Sequence, residues 1–230
     1  MSEIIGSTRA GVPNSIARSG RIVRCTAALV AFVALAIGAA DPAFAADKLL
    51  TLDPAGCTLT FMLDTTFHEV HGTMKVTGGT IRFNPSTGAA SGEITVDATS
   101  AETGNGRRDK TMHRDILESG RFPKIVFKVE RVEGTLPAST PGDLKLHGVM
   151  TLHGANHPVT LPASVRIEAG VARAEAHLSV PYVEWGLADP SFLFVRAAKL
   201  VEVSIVAQGR LTEVPDHGGA QLGGRGRFAR

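Results

Sequence analysis

The sequence predicts an all-β protein built on an antiparallel sheet, and three observations lead to that class. Short apolar segments recur along residues 49–211, separated by clusters of Gly, Pro, Asn and Asp. Within several segments apolar and polar residues alternate, the period of a strand with one dry and one wet face. Most connections are too short for the crossovers that parallel strands need, so we expect antiparallel pairing.

Between eight and ten strands are predicted along the chain. Turn signals separate the early ones, at residues 53–56 (DPAG), at Gly78 and Gly79, and at residues 84–88 (NPSTG). The predicted strands span residues 49–52, 57–63, 70–76, 80–83, 93–98, 125–132, 144–152, 159–167, 171–180 and 200–211.

The alternation identifies the dry face of the later strands. In residues 144–152, apolar side chains at even positions alternate with Lys145, His147 and other residues that face water. Residues 159–167 and 171–180 repeat the pattern. A sheet that buries one face either folds onto a second sheet or closes into a barrel. Periodicity does not distinguish these two arrangements.

Small residues occupy three of the five positions on the dry face of the strand at residues 171–180. Ala172, Ala174 and Ala176 follow one another on that face and fill little volume. They predict either close packing against a neighbouring strand or space left for another molecule.

Residues 100–127 contain the one charged, helix-like interruption of this strand pattern. We expect a helix that begins near Asn105 and Gly106 and stops at Gly120 and Pro123. Such an amphipathic helix would cover the open end of the β structure. Its apolar face consists of Met112, Ile116 and Leu117, and its charged positions are Arg107, Arg108, Asp109, Lys110, Arg114 and Asp115.

The two ends of the chain differ in composition from the domain between them. Residues 1–45 predict a cleaved signal peptide: arginines precede an uncharged run at residues 25–40, and Ala43-Phe44-Ala45 supplies the cleavage pattern. That run is shorter than the ~20 residues that cross a bilayer, so we expect no membrane span after cleavage. Residues 212–230 are glycine-rich and predict a disordered tail. One domain, residues 46–211, remains.

Cleavage also changes the charge and the cysteine count. It leaves 20 basic and 20 acidic residues, so the mature chain is formally neutral. Neutrality does not favour nucleic acid or an anionic membrane surface as a partner. Cys57 is the one cysteine left, which excludes an intramolecular disulfide and predicts a small buried apolar side chain.

Two connections have the composition of ligand-facing segments. Residues 104–106 (GNG) precede the helix, and the basic residues after them would attract an anion, although a plain loop-to-helix turn has the same sequence. Residues 181–194 hold the single Trp and the single Tyr together with two Phe. This segment would line the mouth of a pocket or plug the core.

The histidines invite a metal interpretation, because a zinc site needs three or four converging ligands. His68 and His71 are three residues apart, and on a strand that spacing points to opposite faces. His147 and His153 share a face but lie about 20 Å apart at the rise of a strand. We therefore expect solvated or hydrogen-bonded histidines.

An enzyme is the competing class of function. No G-x-S-x-G, S-x-x-K or H-E-x-x-H motif occurs in the chain. The alternative that remains is a metal-assisted hydrolase that uses His68, His71 or His113 with Asp109 or Asp115, provided that these side chains converge.

Several short segments, taken together, are specific enough to indicate a family. They are residues 52–54 (LDP), 70–72 (VHG), 92–94 (GEI), 103–104 (TG) with 108–109 (RD), 122–127 (FPKIVF), 152–161 (LHGANHPVTL) and 201–205 (VEVSI). With these segments the chain resembles the YceI-like family of exported lipid- and polyisoprenoid-binding proteins. The resemblance implies an antiparallel eight-stranded lipocalin-like barrel with a short helical insert and a long apolar cavity.

We therefore expect a periplasmic or secreted carrier that holds a polyisoprenoid or other long-chain lipid in the barrel, without catalytic residues, cofactor or metal. One buried methylene contributes about 0.8 kcal/mol, so a chain of ~10 to 12 supports micromolar binding. A homodimer stays open, as does a barrel filled by its own side chains. The candidate cavity residues are Phe61, Phe67, Met74, Met112, Leu117, Phe127, Trp185 and Phe192. The candidate head-group residues are Arg107, Arg108, Lys110 and Arg114.

Overall fold

The computed structural model describes residues 46–137, 140–191 and 196–214, which form nine antiparallel strands and one short helical segment. The all-β prediction is confirmed. The strands are β1 (Lys48–Leu52), β2 (Thr58–Asp64), β3 (Glu69–Phe83), β4 (Ala90–Glu102), β5 (Lys124–Gly134), β6 (Gly142–Leu152), β7 (Ala155–Glu168), β8 (Val171–Val180) and β9 (Val201–Glu213).

The sheet closes into a barrel with eight strand positions. Each strand from β2 to β9 pairs with the next, and β9 pairs back with β2. β1 and β2 share one position, because both pair with β3 and with β9 at different heights. Between them Asp53 caps a 3₁₀ turn, Pro54–Gly56, and its carboxylate accepts a hydrogen bond from the Ala55 N–H at 3.1 Å. Closure decides between the two arrangements that periodicity left open.

The predicted break at Gly78 and Gly79 is wrong, because β3 continues through both residues. The pairing of β3 with β4 shifts register between Val76 and Gly78. A Cβ on Gly79 would lie 2.8 Å from the Glu93 carbonyl oxygen. These glycines therefore serve a bulge and a close strand approach, for which the sequence signal is the same as for a turn.

The helical insert lies between β4 and β5. It consists of α1 (Gly106–Thr111), which continues as a π-helical turn (Met112–Ile116). Asn105 caps its start as predicted: the side-chain oxygen accepts hydrogen bonds from the N–H groups of Arg107 and Arg108 at 3.1 and 3.2 Å. The end comes before the predicted Gly120, since the chain turns at Glu118, which has a φ of 43°.

The two ends of the barrel differ in construction. One end, here called the mouth, carries the β2–β3 turn, the helical insert, the β6–β7 turn and the β8–β9 connection. The first and last of these are joined, because the Thr66 N–H donates to the Arg196 carbonyl at 3.0 Å. The opposite end, the base, is packed with apolar side chains, among which Ile81 and Val129 are 2% and 3% exposed. Across residues 46–137, 140–191 and 196–214, no helix has the length and apolar character that a bilayer crossing requires.

Candidate functional site: an apolar cavity inside the barrel

A cavity of about 710 Å³ runs through the barrel from mouth to base. Every strand contributes to its wall, because the inward-facing residues of each strand alternate with outward-facing ones. Its volume lies within the ~300 to 1,000 Å³ typical of small-molecule sites. The wall is apolar below the mouth, with aliphatic side chains from β6, β7 and β8 facing aromatic ones from β2, β3 and β5.

The alanines of β8 face this cavity. Ala172, Ala174 and Ala176 are all part of the wall, and the strand pairs closely with β7 and β9 on either side. Their small size had two interpretations, close packing against a neighbouring strand or space for another molecule. Their position in the cavity wall supports the second.

Polar side chains line the cavity at the mouth. Arg108 is held in place: its Nε donates to the Thr103 hydroxyl at 2.8 Å and its guanidinium donates to the Thr103 carbonyl at 2.9 Å. The Asp109 carboxylate accepts from the Thr103 N–H at 2.9 Å and also from its hydroxyl. Arg107 lines the cavity without an acidic partner in the described part of the chain. Arg107 is thus the cation at the mouth that is available to a ligand.

Tyr182 closes part of the mouth and is almost fully buried, with 4% of its surface exposed. Its hydroxyl donates to the Ala198 carbonyl at 3.0 Å, which ties the two ends of the β8–β9 connection together. Burial, and then the negative charge of Asp189, raise the pKa of Tyr182 to about 12. The fold therefore favours the neutral phenol.

Alkaline titration is expected to show this buried phenol directly, because Tyr182 is the single tyrosine of the chain. The phenolate absorbance of the folded protein should rise with a midpoint of about 12, against about 10 in the unfolded chain. Since the folded pKa is the higher one, this contribution to stability is complete below pH ~10 and is lost as the pH rises toward ~12. Tyr182→Phe should abolish that part of the pH dependence in denaturant titrations. A folded-state midpoint near 10 would contradict the burial described here.

The structure brings most of the sequence-predicted site residues together at the cavity. Phe61, Met74, Met112, Leu117 and Phe127 belong to its wall, and Arg107 and Arg108 lie at the mouth.

The other predicted residues lie elsewhere. Phe67 is in the β2–β3 turn and 72% exposed, because it sits in a turn rather than on the inner face of a strand. Lys110 and Arg114 are exposed and outside the wall, since they occupy the outer side of the insert. Trp185 packs beside the cavity with its ring stacked on His157 at 4.1 Å, and Phe192 lies outside the described residues.

Three threonines at the mouth, Thr65, Thr103 and Thr111, also line the cavity, and sequence analysis did not identify them as site residues. Thr65 comes from the β2–β3 turn, whereas Thr103 and Thr111 belong to the connection between β4 and β5, so the closed barrel brings two distant segments to one rim. Tyr182 is different, because its membership of an aromatic-rich connection was a usable signal.

The histidines that the structure describes do not converge on a metal site. Both ring nitrogens of His113 are engaged, with the Ser119 hydroxyl at 2.9 Å and the Ala101 carbonyl at 2.8 Å. His71 contacts Glu69 on the outer surface at 3.1 Å. Within the described ranges, no group of three or more His, Cys, Asp or Glu side chains is placed to hold an ion. The described side chains that a metal-assisted hydrolase would need are therefore not assembled into a metal centre.

The fold is shared with solved structures of low sequence identity. BcnA from Burkholderia cenocepacia superposes with a TM-score of 0.58 at 17% identity, over 68% of this chain and 98% of that one. A polyisoprenoid binding domain from Saccharophagus degradans superposes with a TM-score of 0.55 at 17% identity, over 72% of this chain and 98% of that one.

Sequence comparison points the same way. The chain is 32% identical over 98 residues to Protein YceI of Escherichia coli O17:K52:H18, a match that covers 42% of this chain and 49% of that protein. It thus spans about half the length of the curated relatives it matches. The family model described as YceI-like domain matches residues 50–208, which take in the barrel almost from β1 to the end of β9. The chain therefore belongs to the YceI-like family.

Proposed function

We propose that this protein is an exported, periplasmic carrier that holds a polyisoprenoid or another long-chain lipid inside its barrel. The observation that carries the proposal is the apolar cavity of about 710 Å³. A barrel filled by its own side chains would leave less than the ~300 Å³ at which ligand pockets begin. The proposed role includes no catalytic step.

Burial of hydrocarbon supplies the binding free energy. Each methylene that leaves water contributes about 0.8 kcal/mol, so ten to twelve of them contribute about 8 to 10 kcal/mol before ordering costs. Micromolar affinity corresponds to about 8 kcal/mol, so a chain of this length reaches it, and each further methylene helps to offset the ordering of both partners. The length of the cavity, from Thr65 at the mouth to Leu136 near the base, suits an extended chain better than a compact ring system.

The solved relative from Saccharophagus degradans supports the choice of ligand class, since it is a polyisoprenoid binding domain with the same barrel. Export rests on the signal-peptide pattern of residues 1–45, which lie outside the described residues. N-terminal sequencing of the protein recovered from the periplasm should give a chain that starts between residues 46 and 48.

Extraction of the purified protein tests the proposal directly. Native mass spectrometry after gentle purification is expected to show the protein together with a bound hydrophobic molecule, and organic extraction should release that molecule for identification. Fluorescent isoprenoid and fatty-acyl probes should bind the emptied protein. An empty protein that also fails to bind both probes would refute the carrier function.

Arg107 is expected to select for an anionic head group. Arg107→Gln should weaken binding of a long-chain carboxylate about 3- to 10-fold, because a partly exposed ion pair contributes roughly 1 kcal/mol. The uncharged alcohol of the same chain length should bind the variant and the parent protein equally. Competition against a fluorescent probe measures both affinities.

Arg114→Gln provides the matched control. Arg114 lies on the same insert but is paired with Asp115 at 2.5 Å and stands outside the cavity wall. Equal losses for the carboxylate in both variants, or an equal loss for the alcohol with Arg107→Gln, would contradict a head-group role for Arg107.

A further inference from the structure

Exposed apolar side chains are concentrated at the mouth. Three large hydrophobic residues are exposed among the described residues: Phe67 at 72%, Leu200 at 47% and Val206 at 50%. Phe67 belongs to the β2–β3 turn and Leu200 immediately precedes β9, so both lie at the mouth. Val206 lies on the outer wall, where β9 pairs with β2 and β8. Two of the three, Phe67 and Leu200, therefore lie beside the opening of the cavity.

The turn that carries Phe67 is held firmly on the rim. Thr65 donates its N–H to the His68 carbonyl at 3.2 Å, which closes the turn. Arg196 in turn donates its N–H to the Thr66 hydroxyl at 3.0 Å, which fixes the turn to the β8–β9 connection. Thr65 and His68 both line the cavity, so Phe67 stands between two residues of the opening. The turn therefore presents the exposed Phe67 ring to solvent at a fixed place beside the opening.

Cations without acidic partners accompany these apolar residues. Arg107 and Lys110 of α1 take part in no ion pair within the described part of the chain, whereas Arg114 and Lys199 are paired with Asp115 and Asp189. The mature chain is neutral overall, so its charge alone gives no attraction to an anionic surface. The local arrangement does, because apolar side chains flanked by free cations are the composition of an interfacial membrane anchor.

Two acidic side chains near the same end, Glu69 and Glu202, are directed to the outer wall. The Glu69 carboxylate contacts His71 at 3.1 Å, and the Glu202 carboxylate accepts from the Ser179 hydroxyl at 2.7 Å. All four residues belong to the outward-facing rows of β3, β8 and β9. These two carboxylates lie beside the barrel wall. Other acidic side chains do lie at the mouth, and there Asp115, Glu118 and Asp189 are paired with Arg114, Arg121 and Lys199.

We propose that the protein docks mouth-first on a bilayer that contains anionic lipid. Phe67 and Leu200 enter the boundary between head groups and acyl chains, and Arg107 and Lys110 meet the lipid phosphates. This inference rests on the proposed function, because a ligand that moves between the cavity and a bilayer through a docked mouth avoids exposing its hydrocarbon chain to water.

Vesicle flotation of the purified protein tests the docking. Binding is expected to vesicles of phosphatidylcholine with phosphatidylglycerol, and to be weaker to vesicles of phosphatidylcholine alone. The double change Phe67→Ser and Leu200→Ser should lower the partition coefficient at least ~10-fold, as the loss of two apolar anchors implies. Lys110→Gln should lower it ~3-fold or more on the anionic vesicles and leave the neutral vesicles unaffected.

Matched controls separate the mouth from the wall. Val206→Ser removes the third exposed apolar side chain, and Lys128→Gln removes an exposed cation on the outer face of β5. Both controls should float like the parent protein. Equal losses in the mouth and wall variants, or no vesicle binding by the parent, would overturn the proposal. So would a concentration-dependent dimer in analytical ultracentrifugation that disappears with the Phe67 and Leu200 changes, since a second copy would then be the occupant of the rim.

Binding of a probe in solution separates the docking proposal from the carrier function. Binding of a fluorescent fatty-acyl probe in vesicle-free solution should be equal in the parent and in the Phe67 and Leu200 variant, whose side chains lie outside the cavity wall. Loss of docking with retained probe binding supports the surface proposed here. Vesicle binding by a protein that binds no probe would refute the carrier and leave the docking surface intact.

Discussion

Ala174→Phe is expected to lower the affinity for a long-chain ligand about 50- to 100-fold while the barrel stays folded. Ala174 lines the cavity midway along β8 and is paired with Val165 and Ala207 on the adjacent strands. A phenyl ring at this place would occupy the path of about three methylenes, which corresponds to ~2.4 kcal/mol of lost transfer free energy. Titration of a fluorescent fatty-acyl probe measures the change.

Glu175→Phe is the control for that experiment. Glu175 is the next residue on the same strand and is exposed on the outer face, where it pairs with Ser164 and Val206. The same ring is therefore added to the same strand without entering the cavity. Probe affinity should be unchanged in this variant. Unchanged affinity in Ala174→Phe as well, with an intact circular dichroism spectrum, would show that the ligand binds elsewhere.

Gly148→Ala is expected to destabilise the protein by about 3 kcal/mol, at or above the upper end of the range for overpacking. Gly148 is buried in β6, opposite Val129 of β5. A Cβ at this position would lie 2.0 Å from the Lys128 carbonyl oxygen and 3.1 Å from the Phe127 ring. Because the nearest atom is backbone, relief requires β5 and β6 to separate, and a chemical denaturation curve should record the loss.

Gly106→Ala makes the same substitution where there is space. No atom lies within 4 Å of a Cβ placed on Gly106, the first residue of α1. This control should be neutral or stabilising by up to about 1 kcal/mol, because alanine restricts the unfolded chain. Equal effects of the two substitutions would contradict the close approach of β5 to β6.

Local pattern was sufficient to predict the wall of the barrel and its alternation. Apolar and polar residues alternate strictly in residues 159–167, and with one exception each, Val149 and Val171, in residues 144–152 and 171–180. The inward-facing apolar side chains of these strands line the cavity. Asn105 was readable as a helix cap for a similar reason, since its side chain bonds to residues only two and three positions away. Such signals depend on neighbours in the chain, so the sequence alone contains them.

Features that depend on residues far apart in the chain cannot be predicted from local sequence patterns. Glycines in a bulged strand have the composition of a turn, so the local sequence does not show that Gly79 pairs with Ile94 and passes close to the Glu93 carbonyl. Whether the sheet closes depends on the pairing of β2 with β9, which are separated by more than a hundred residues. Local patterns likewise do not show that Thr65 of the β2–β3 turn meets Thr103 and Arg107 of the β4–β5 connection at the mouth. The barrel was therefore predicted from the family resemblance, because patterns between neighbouring residues do not show whether a sheet closes.

The pairing of β9 has a consequence for the order of events during synthesis. β9 lies beside β1, β2 and β8, so the barrel stays incomplete until residues 201–213 have been made. Ribosomes produce the N-terminus first, and contacts between distant parts of a chain form slowly. The barrel should therefore stay unclosed until translation is nearly finished, which is the state that the export proposed above would require of the precursor.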